Sequence, residues 1–538
     1  MIRKTTAMIL CALIVFSMGG CQFRRDDVEE YDPTKTYLYI GNYDGGLGDE
    51  WLLALAEEYM AEHTDVIIRI ENDKDRFADA TLLEQMDNYG YDMYFVNAVT
   101  YSNYVARGKM LNITDAVTTD LDGENESIAD KMNPTLREYY QTEDDQFYAV
   151  PFFDSIFGTV YDVDLFETEG FYYNENGNLM CDDPTSDVKS AGPDGKMETE
   201  YDNGLPATYS QWENLMHTMK YDFSIIPYIW TGEYTYYRYR FLTSIWADYE
   251  GKADFDLNMT FNGSYTFDGD ETATPISVNN AYLLQQQQGK KYALDYAEYI
   301  VRNGLYVKTS FDGTNTHMMA QRSYLDSAVE GDRIAMIIEG GWWENEARSF
   351  FDEIVADSGE EYAFGTRRFA FMPTPKSDDG KSDPDTTLIS STGNSVAFIA
   401  ANTAEPELAK DFLRFVHSDH GLRTFTRMTG AIRPYDYELE EGDLAEMTHY
   451  AKNMWEIYHS EDTEISYVTL YYNDCFVQEA SFLGSNWWWK STVNGREYLD
   501  AMWEFSQEPS LNAENYFLGL QTTFSQSVWN NRMSKYFD

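Results

Sequence analysis

The chain has 538 residues, with 92 Asp and Glu against 39 Lys and Arg and a formal net charge of -53 at pH 7. A polyanion of this size repels nucleic acid and anionic headgroups, since both are bound through clustered Lys and Arg, and nucleic-acid function is excluded. A 43% hydrophobic content over this length can build two sizeable cores, which favours two lobes over one giant domain; most of the 16% aromatic content is packing, but the surplus invites a carbohydrate reading.

Residues 1–20 read as a secretory signal. Arg3 and Lys4 form a charged start, the apolar run from Ala7 to Met18 is too short for a comfortable membrane span, and Gly19, Gly20 and Cys21 follow. The cysteine directly after small residues resembles a bacterial lipobox. That resemblance implies that the Cys21 thiol receives a diacylglyceryl group, that the chain is cut just before it, and that acyl chains of the palmitate type anchor the mature protein outside the cytoplasmic membrane. An ordinary secretory signal with an incidental cysteine is the alternative. Loss of Arg3 and Lys4 would move the formal charge from -53 to -55. Residues 21–35, acidic and polar, read as the lipid-anchored linker.

Order begins at TYLYIGN (36–42), a strand pattern that ends in the turn-rich NYDGGLGD. A helix over EWLLALAEEYMAEH places Leu52, Leu55, Ala56, Tyr59 and Met60 on one face, with Asp49 as its cap. DVIIRI, ADATLLEQM, DMYFVN and YSNYVARG continue as strand, helix, strand and helix, the pattern of a parallel sheet wrapped by helices. QFYAVPFFDSIFGTVYDVDLF (146–166) is again strand-like, broken by Pro151. Residues 170–205 are loop-rich; Asp187, Asp194, Glu198 and Asp202 do not satisfy the calcium-loop spacing and read as a solvated acidic excursion. A single long helix is expected from Ala281 to Arg302, a strand at 333–338, a strand and then a helix from Pro406, and a helical, aromatic tail after Glu438. His417 and His420 read as solvated helix-end residues, and no Cys/His spacing supports a metal site. Cys181 and Cys475 could form one long-range disulfide or remain two isolated thiols.

Five segments in order (SMGGC, YIGNYDGGLGDEW, YAVPFFDSIFGTVYDVDLF, IAMIIEGGWWENEA and STGNSVAFIAANTAEPELAKDFLRFVHSDHGLRTFTRMTG) make the chain similar to the family 1 extracellular solute-binding proteins, the receptors of bacterial carbohydrate ABC transporters such as maltose- and multiple-sugar-binding proteins. The resemblance implies an α/β, two-lobed periplasmic-binding-protein-like fold, each lobe a mainly parallel sheet flanked by helices and joined by hinge strands. It implies a first lobe from 36–150 and 390–430, and a second from 151–389 and the helical 431–538, with insertions near 170–205 and 252–275. It further implies a monomeric, non-enzymatic receptor without cofactors, which captures a carbohydrate, most simply an oligosaccharide, and hands it to the membrane permease subunits.

Sugars offer a polar rim and an apolar face, so a receptor needs flat rings with carboxylates and amides at fixed positions. Positions at expected strand ends supply them: Tyr43, Asp44, Asn97, Tyr101, Asp154, Trp230, Glu339, Trp342 and Trp343. Adjacent side chains cannot share a face, so of the doublet Trp342 is expected as the stacking platform and Trp343 as packing, with Gly340 and Gly341 allowing a tight turn. Two rival readings are a surface glycan-binding lipoprotein without a transport role and, less favoured, a glycoside hydrolase. The nearest approach to a serine nucleophile elbow, GNSVA at 393–397, lacks its last glycine and opens a strand.

Overall fold

The computed structural model describes residues 31–197, 199–470 and 486–537. The expected signal segment, the expected acylation site Cys21, Glu198 of the acidic loop and Cys475 of the disulfide alternative lie outside the described residues. Among the described residues no helix is long and apolar enough to cross a membrane.

The strands, in chain order, are β1 (Thr36–Asn42), β2 (Val66–Asn72), β3 (Met93–Val96), β4 (Val150–Pro151), β5 (Phe157–Asp162), β6 (Ile226–Ile229), β7 (Gly263–Tyr265), β8 (Thr274–Ile276), β9 (Ile334–Gly340), β10 (Phe369–Met372), β11 (Thr386–Ser390), β12 (Val396–Ile399), β13 (Thr463–Tyr467), β14 (Ser491–Val493) and β15 (Arg496–Tyr498). They form two principal sheets, ordered β2-β1-β3-β12-β4 and β10-β5-β9-β6. In the first, β1 runs parallel to β2 and β3, as the strand-helix-strand pattern requires, and β12 returns antiparallel against β3 and β4. The second sheet departs from the mainly parallel expectation: β6 and β9 are parallel, but β5 runs antiparallel to both β9 and β10. The reason is that β5 enters the second lobe directly from the hinge and not through a helical crossover.

One hydrophobic core runs from the first sheet across the junction to Trp343 and Phe369. The other covers the opposite face of the second sheet around Trp212, Trp246, Trp489 and Trp529. The helix Glu50–Glu62 buries Trp51, Leu52, Leu55, Ala56 and Tyr59 at helical spacing. Asp49 precedes it, but at φ -128°, ψ 0° its side chain makes no capping hydrogen bond.

The helix expected from Ala281 to Arg302 is interrupted. A short 3₁₀ turn, Ala281–Gln286, is followed by extended Gln287 and a helix over Gln288–Arg302. The buried Gln287 amide explains the break: its oxygen accepts from Trp246 Nε1 (3.1 Å) and Asn258 Nδ2 (2.7 Å), and its nitrogen donates to the Asp254 carbonyl (2.9 Å). Three further expectations are corrected. His417 is buried with Nδ1 2.7 Å from the Leu413 carbonyl, while His420 is exposed beside Glu58. Asp202 is buried inside the acidic loop and accepts from Asp194 N at 3.1 Å, so that loop closes on a carboxyl and is not simply solvated. The tail is not wholly helical, because β13 pairs parallel with β11, and β14 and β15 form a hairpin.

Three chain segments cross side by side between the sheets. Phe152 N donates to the Ser395 carbonyl (3.1 Å), Asp154 N donates to the Ile432 carbonyl (2.7 Å), and Ile156 bridges Ser390. At their centre the buried Asp154 carboxylate accepts from Ser155 N (2.8 Å), Tyr458 Oη (2.7 Å) and Ser390 Oγ. Burial pushes this carboxyl up, opposed by the bonds from Ser390 and Tyr458.

Several other carboxyls are raised by burial: Asp248 to about 6 despite its pairing with Lys376, Glu250 and Glu344 each to about 7, and Asp202 to about 8. Unfolded carboxyls titrate near about 4. Between that value and each folded value the native state binds the extra proton, so stability is greatest at the acidic end and falls as pH rises through the window. Asp162 and Glu346, which are depressed, act in the opposite sense only below about pH 4 to 4.5, and His417 and His459, also depressed, act so below about pH 6.5, two groups against the four carboxyls. Thermal unfolding followed by circular dichroism is therefore expected to give a higher midpoint near pH 5 than near pH 8, and Glu250→Gln combined with Asp202→Asn should flatten that slope.

Candidate functional site

Between the sheets lies a cleft made of two adjoining recesses that share Ala98, Tyr236, Arg240, Ser391 and Asn394. The larger, about 1010 Å³, draws Tyr43, Gly45, Lys74 and Asn97 from the first lobe, Tyr234, Tyr237, His317, Trp342 and Glu346 from the second, and Phe153, Thr392 and Ser395 from the crossing segments. The other, about 970 Å³, adds Tyr239, Thr243, Trp246, Asn258, Thr469, Trp488 and Trp489. Tyr43 follows β1, Asn97 follows β3, Tyr234 lies beyond β6 and Trp342 follows β9. All four stand at carboxyl ends of strands in parallel pairs, where open α/β sheets leave a crevice. The lobes touch at one edge of it, where Asn345 Nδ2 donates to the Gly46 carbonyl at 2.8 Å.

The tryptophan doublet divides as its adjacency requires. Trp342 is half-buried on the cleft wall, and Trp343 is wholly buried, with its ring edge-on to Phe369 at 5.0 Å and to Tyr450 at 5.7 Å. The expected turn is present at Gly341 and Trp342, directly after β9, and the glycines serve a second purpose beside it. Neither adopts a positive φ. A Cβ on Gly340 would lie 2.4 Å from the Trp342 ring, and one on Gly341 would lie 2.6 Å from Ser155 Oγ. Gly340 therefore gives the indole a bare backbone to lie on.

Of the nine expected contact residues the structure brings Tyr43, Asn97 and Trp342 to the cleft wall. Asp44 sits just outside, in a neighbouring recess, where it accepts from Gly46 N (3.2 Å) and Asn72 Nδ2 (3.3 Å). Glu339 is buried beneath the floor. Gln321 Nε2 links it to the wall residue Glu346, at 3.1 Å and 2.8 Å respectively, and Glu346 in turn faces His317 Nε2 at 3.2 Å. Burial, with the nearby Glu346 charge, drives the Glu339 carboxyl well up. Burial also opposes ionisation of Glu346, but His317 and Gln321 outweigh it and hold that carboxyl below its ordinary value.

Of the remaining four, three are corrected and Trp343 takes the packing place expected for it. Tyr101 is buried with its hydroxyl donated to the Tyr140 carbonyl (2.9 Å). Trp230 is fully buried against Tyr306 and Phe311, because the chain turns at the end of β6 and carries this ring into the second core. Asp154 is committed to the crossing segments, and Trp343 to the core.

Sequence reasoning missed the helix Thr235–Glu250, which presents Tyr236, Tyr239, Arg240 and Thr243 to the cleft. Their i, i+3, i+4, i+7 spacing was a legible signal. It also missed the small polar run Ser391–Ser395. Several cleft polar atoms are buried without a hydrogen-bond partner: Asn97 Oδ1, Ser391 Oγ, Ser395 Oγ and Thr469 Oγ1. Buried polar atoms are rarely left this way unless a ligand or water completes them. Ala98, between the two recesses, is held at φ 59°, a strained value for a residue with a Cβ. Flat rings beside orphaned hydroxyls and an amide can stack a sugar face and bond its hydroxyls. Among the described residues no group of three or more His, Cys, Asp or Glu side chains is placed to hold a metal.

The sequence profile of the family described as bacterial extracellular solute-binding protein matches residues 45–421. Apo RafE from Streptococcus pneumoniae superposes with a TM-score of 0.56 at 12% identity, covering 93% of this chain and all of that one. A RafE structure with raffinose gives 0.55 at 13%, over 92% of this chain and all of that one. The GacH receptor of Streptomyces glaucescens, solved unliganded and with acarbose, gives 0.54 at 11%, over 93% and 99%. These likenesses establish shared fold. No curated protein sequence matches the chain.

The two neighbouring tryptophans should separate in a stability measurement. Trp343→Ala is expected to lower the unfolding free energy by about 3–5 kcal/mol, the range for emptying a buried aromatic site. Trp342→Ala should cost about 1 kcal/mol. Urea denaturation of both variants checks the difference.

Proposed function

The chain belongs to the bacterial extracellular solute-binding protein family, and from that membership we propose that it is the substrate-binding subunit of a carbohydrate ABC transporter, capturing an oligosaccharide in the interlobe cleft. One observation carries the reading. The cleft sets the Trp342 indole, laid over Gly340, within the same recess as the unpartnered Asn97 Oδ1 and Ser395 Oγ. An apolar plate with nearby unpaired polar atoms suits a sugar ring, which has C–H faces and a hydroxyl rim. Raffinose and acarbose, named for structures of the same fold, belong to the same chemical class.

On this reading residues 36–150 and 390–430 make one lobe, and 151–389 and 431–538 the other. Sugar bridging them stabilises the closed arrangement, and differential affinity of the permease for that arrangement drives delivery. Cys21, acylated, tethers the monomer at the outer face of the cytoplasmic membrane. Hydrolysis is disfavoured by the chemistry of the wall, because glycoside cleavage uses two facing carboxyls and Glu346 is the only carboxylate among the described residues lining the two recesses.

Isothermal calorimetry and thermal shift against mono- and oligosaccharides should yield at least one carbohydrate that raises the midpoint, with 1:1 stoichiometry. Trp342→Ala should weaken that ligand by about 10- to 100-fold, as expected for loss of an aromatic anchor. Gly340→Ala, which pushes the ring from its seat, should weaken it about tenfold without removing any contacting side chain. Midpoint shifts with peptides alone would refute the substrate class, turnover would establish an enzyme, and binding of polymer without short sugars would favour a surface glycan-binding lipoprotein.

A further inference from the structure

The charged side chains that line the two recesses are Lys74, Arg240, His317 and Glu346. Glu346 is engaged by His317 and Gln321. Lys74 stands exposed at the rim, where its charge favours ionised Glu346. Arg240 differs from these. It lines both recesses, half-buried, and forms no hydrogen bond or ion pair with any described residue.

The contrast with its neighbour is informative. Arg238, on the opposite side of the same helix, is buried and donates to the Asp500 carboxylate through Nε (2.9 Å) and Nη2 (2.6 Å) and to the Thr231 carbonyl through Nη1 (3.1 Å). Among the described residues a carboxylate is thus supplied to the arginine that faces the core and none to the one that faces the cleft. Burial pulls the Arg240 guanidinium down to about 10, opposed only by the Tyr236 hydroxyl one helical turn away. An arginine presents five N–H donors in a planar fork that matches an oxyanion bidentately. Neutral hydroxyls could take some of those donors but would leave the charge unanswered in a partly desolvated site. At long range the net charge of -53 repels an anion, so an anionic ligand needs a cation at the point of contact.

We propose that the carbohydrate taken by this cleft is anionic, its carboxylate or sulfate group docking on the Arg240 guanidinium while its neutral ring faces stack on Trp342 and Tyr236. This rests on the carbohydrate-receptor reading and narrows it to uronate-bearing or sulfated oligosaccharides.

Matched pairs of ligands, differing only in charge, provide the test by calorimetry on the native protein. Oligogalacturonides are compared with their methyl esters, glucuronate-decorated xylo-oligosaccharides with the undecorated chains, and sulfated chondroitin disaccharides with unsulfated ones. At least one charged member should bind about tenfold or more tightly than its uncharged counterpart, the scale of one charge-assisted hydrogen-bonding pair. Its affinity should fall with added salt, and whether the carboxylate or the sulfate pair shows the gap identifies the group. Arg240→Gln should erase the gap and Arg240→Lys should keep part of it, with unliganded thermal midpoints as the folding control. Should Arg240→Gln fail to fold, the matched pairs and the salt dependence of the native protein decide. Tight binding of neutral sugars with no gap in any pair would overturn the proposal while leaving the receptor reading intact. Absence of binding by every carbohydrate, charged or neutral, would overturn both.

Discussion

The structure turns on a buried carboxylate at the point where three strands of chain cross. Asp154 is on the first crossing segment and accepts from Ser390 on the second and from Tyr458 on the helix that packs beneath, while its own N–H is bonded to Ile432 on the third. A buried carboxylate persists only where hydrogen bonds replace its hydration, and here those bonds come from segments far apart in sequence. That mutual dependence fixes the register in which the two sheets face each other. Because the crossing segments are extended backbone and not helix, they also form a thin joint between two thick bodies, the arrangement that permits hinge motion.

The cleft follows from this geometry. β1 and β3 of one sheet and β6 and β9 of the other direct their carboxyl ends into the same gap, so short post-strand segments deliver Tyr43, Asn97, Tyr234 and Trp342 without long loops. Space is as important as direction. Gly340 lacks the atom that would collide with the Trp342 ring, and the extended β9 ends there. Behind that wall, Gln321 ties Glu339 to Glu346 and so braces the helix that follows Trp342 against the end of β9. The orphaned polar atoms of Asn97, Ser391 and Ser395 face a ring-lined space with Arg240 at its centre. Selectivity in such a site comes from the few polar groups and from the Arg240 charge, which no described residue pairs, since flat rings discriminate little on their own.

Much of the architecture was legible in the sequence because it depends on periodicity. The alternation of TYLYIGN, DVIIRI and DMYFVN with amphipathic helices specifies a parallel β1–β2–β3 arrangement on local pattern alone. The antiparallel β5 was not legible, since strand direction at a hinge depends on how distant segments meet. The doublet Trp342–Trp343 was divided correctly into wall and core by the geometry of adjacent residues, and the turn at its glycines was legible too, but the room that Gly340 leaves for the ring was not, because steric room is a tertiary property. Trp230 and Tyr101 show the same limit: both follow strand or turn signals, yet the chain rotates each ring into a core. The break at Gln287 is another case, where a buried amide with three partners overrides helix propensity. Arg240 and the tyrosines around it lie on a helix, Thr235–Glu250, that went unrecognised in the sequence, although their spacing marks one face.

The central claim is that ligand closes two bodies about the Asp154 joint, and the radius of gyration from small-angle X-ray scattering reports on it directly. Scattering from the protein should show a smaller radius of gyration at saturating oligosaccharide than in its absence, by about 1 Å for a hinge closure of this kind. Identical scattering curves with and without a ligand that calorimetry shows to be bound would contradict the account, because they would mean that the cleft captures sugar as a rigid groove and that the joint transmits nothing.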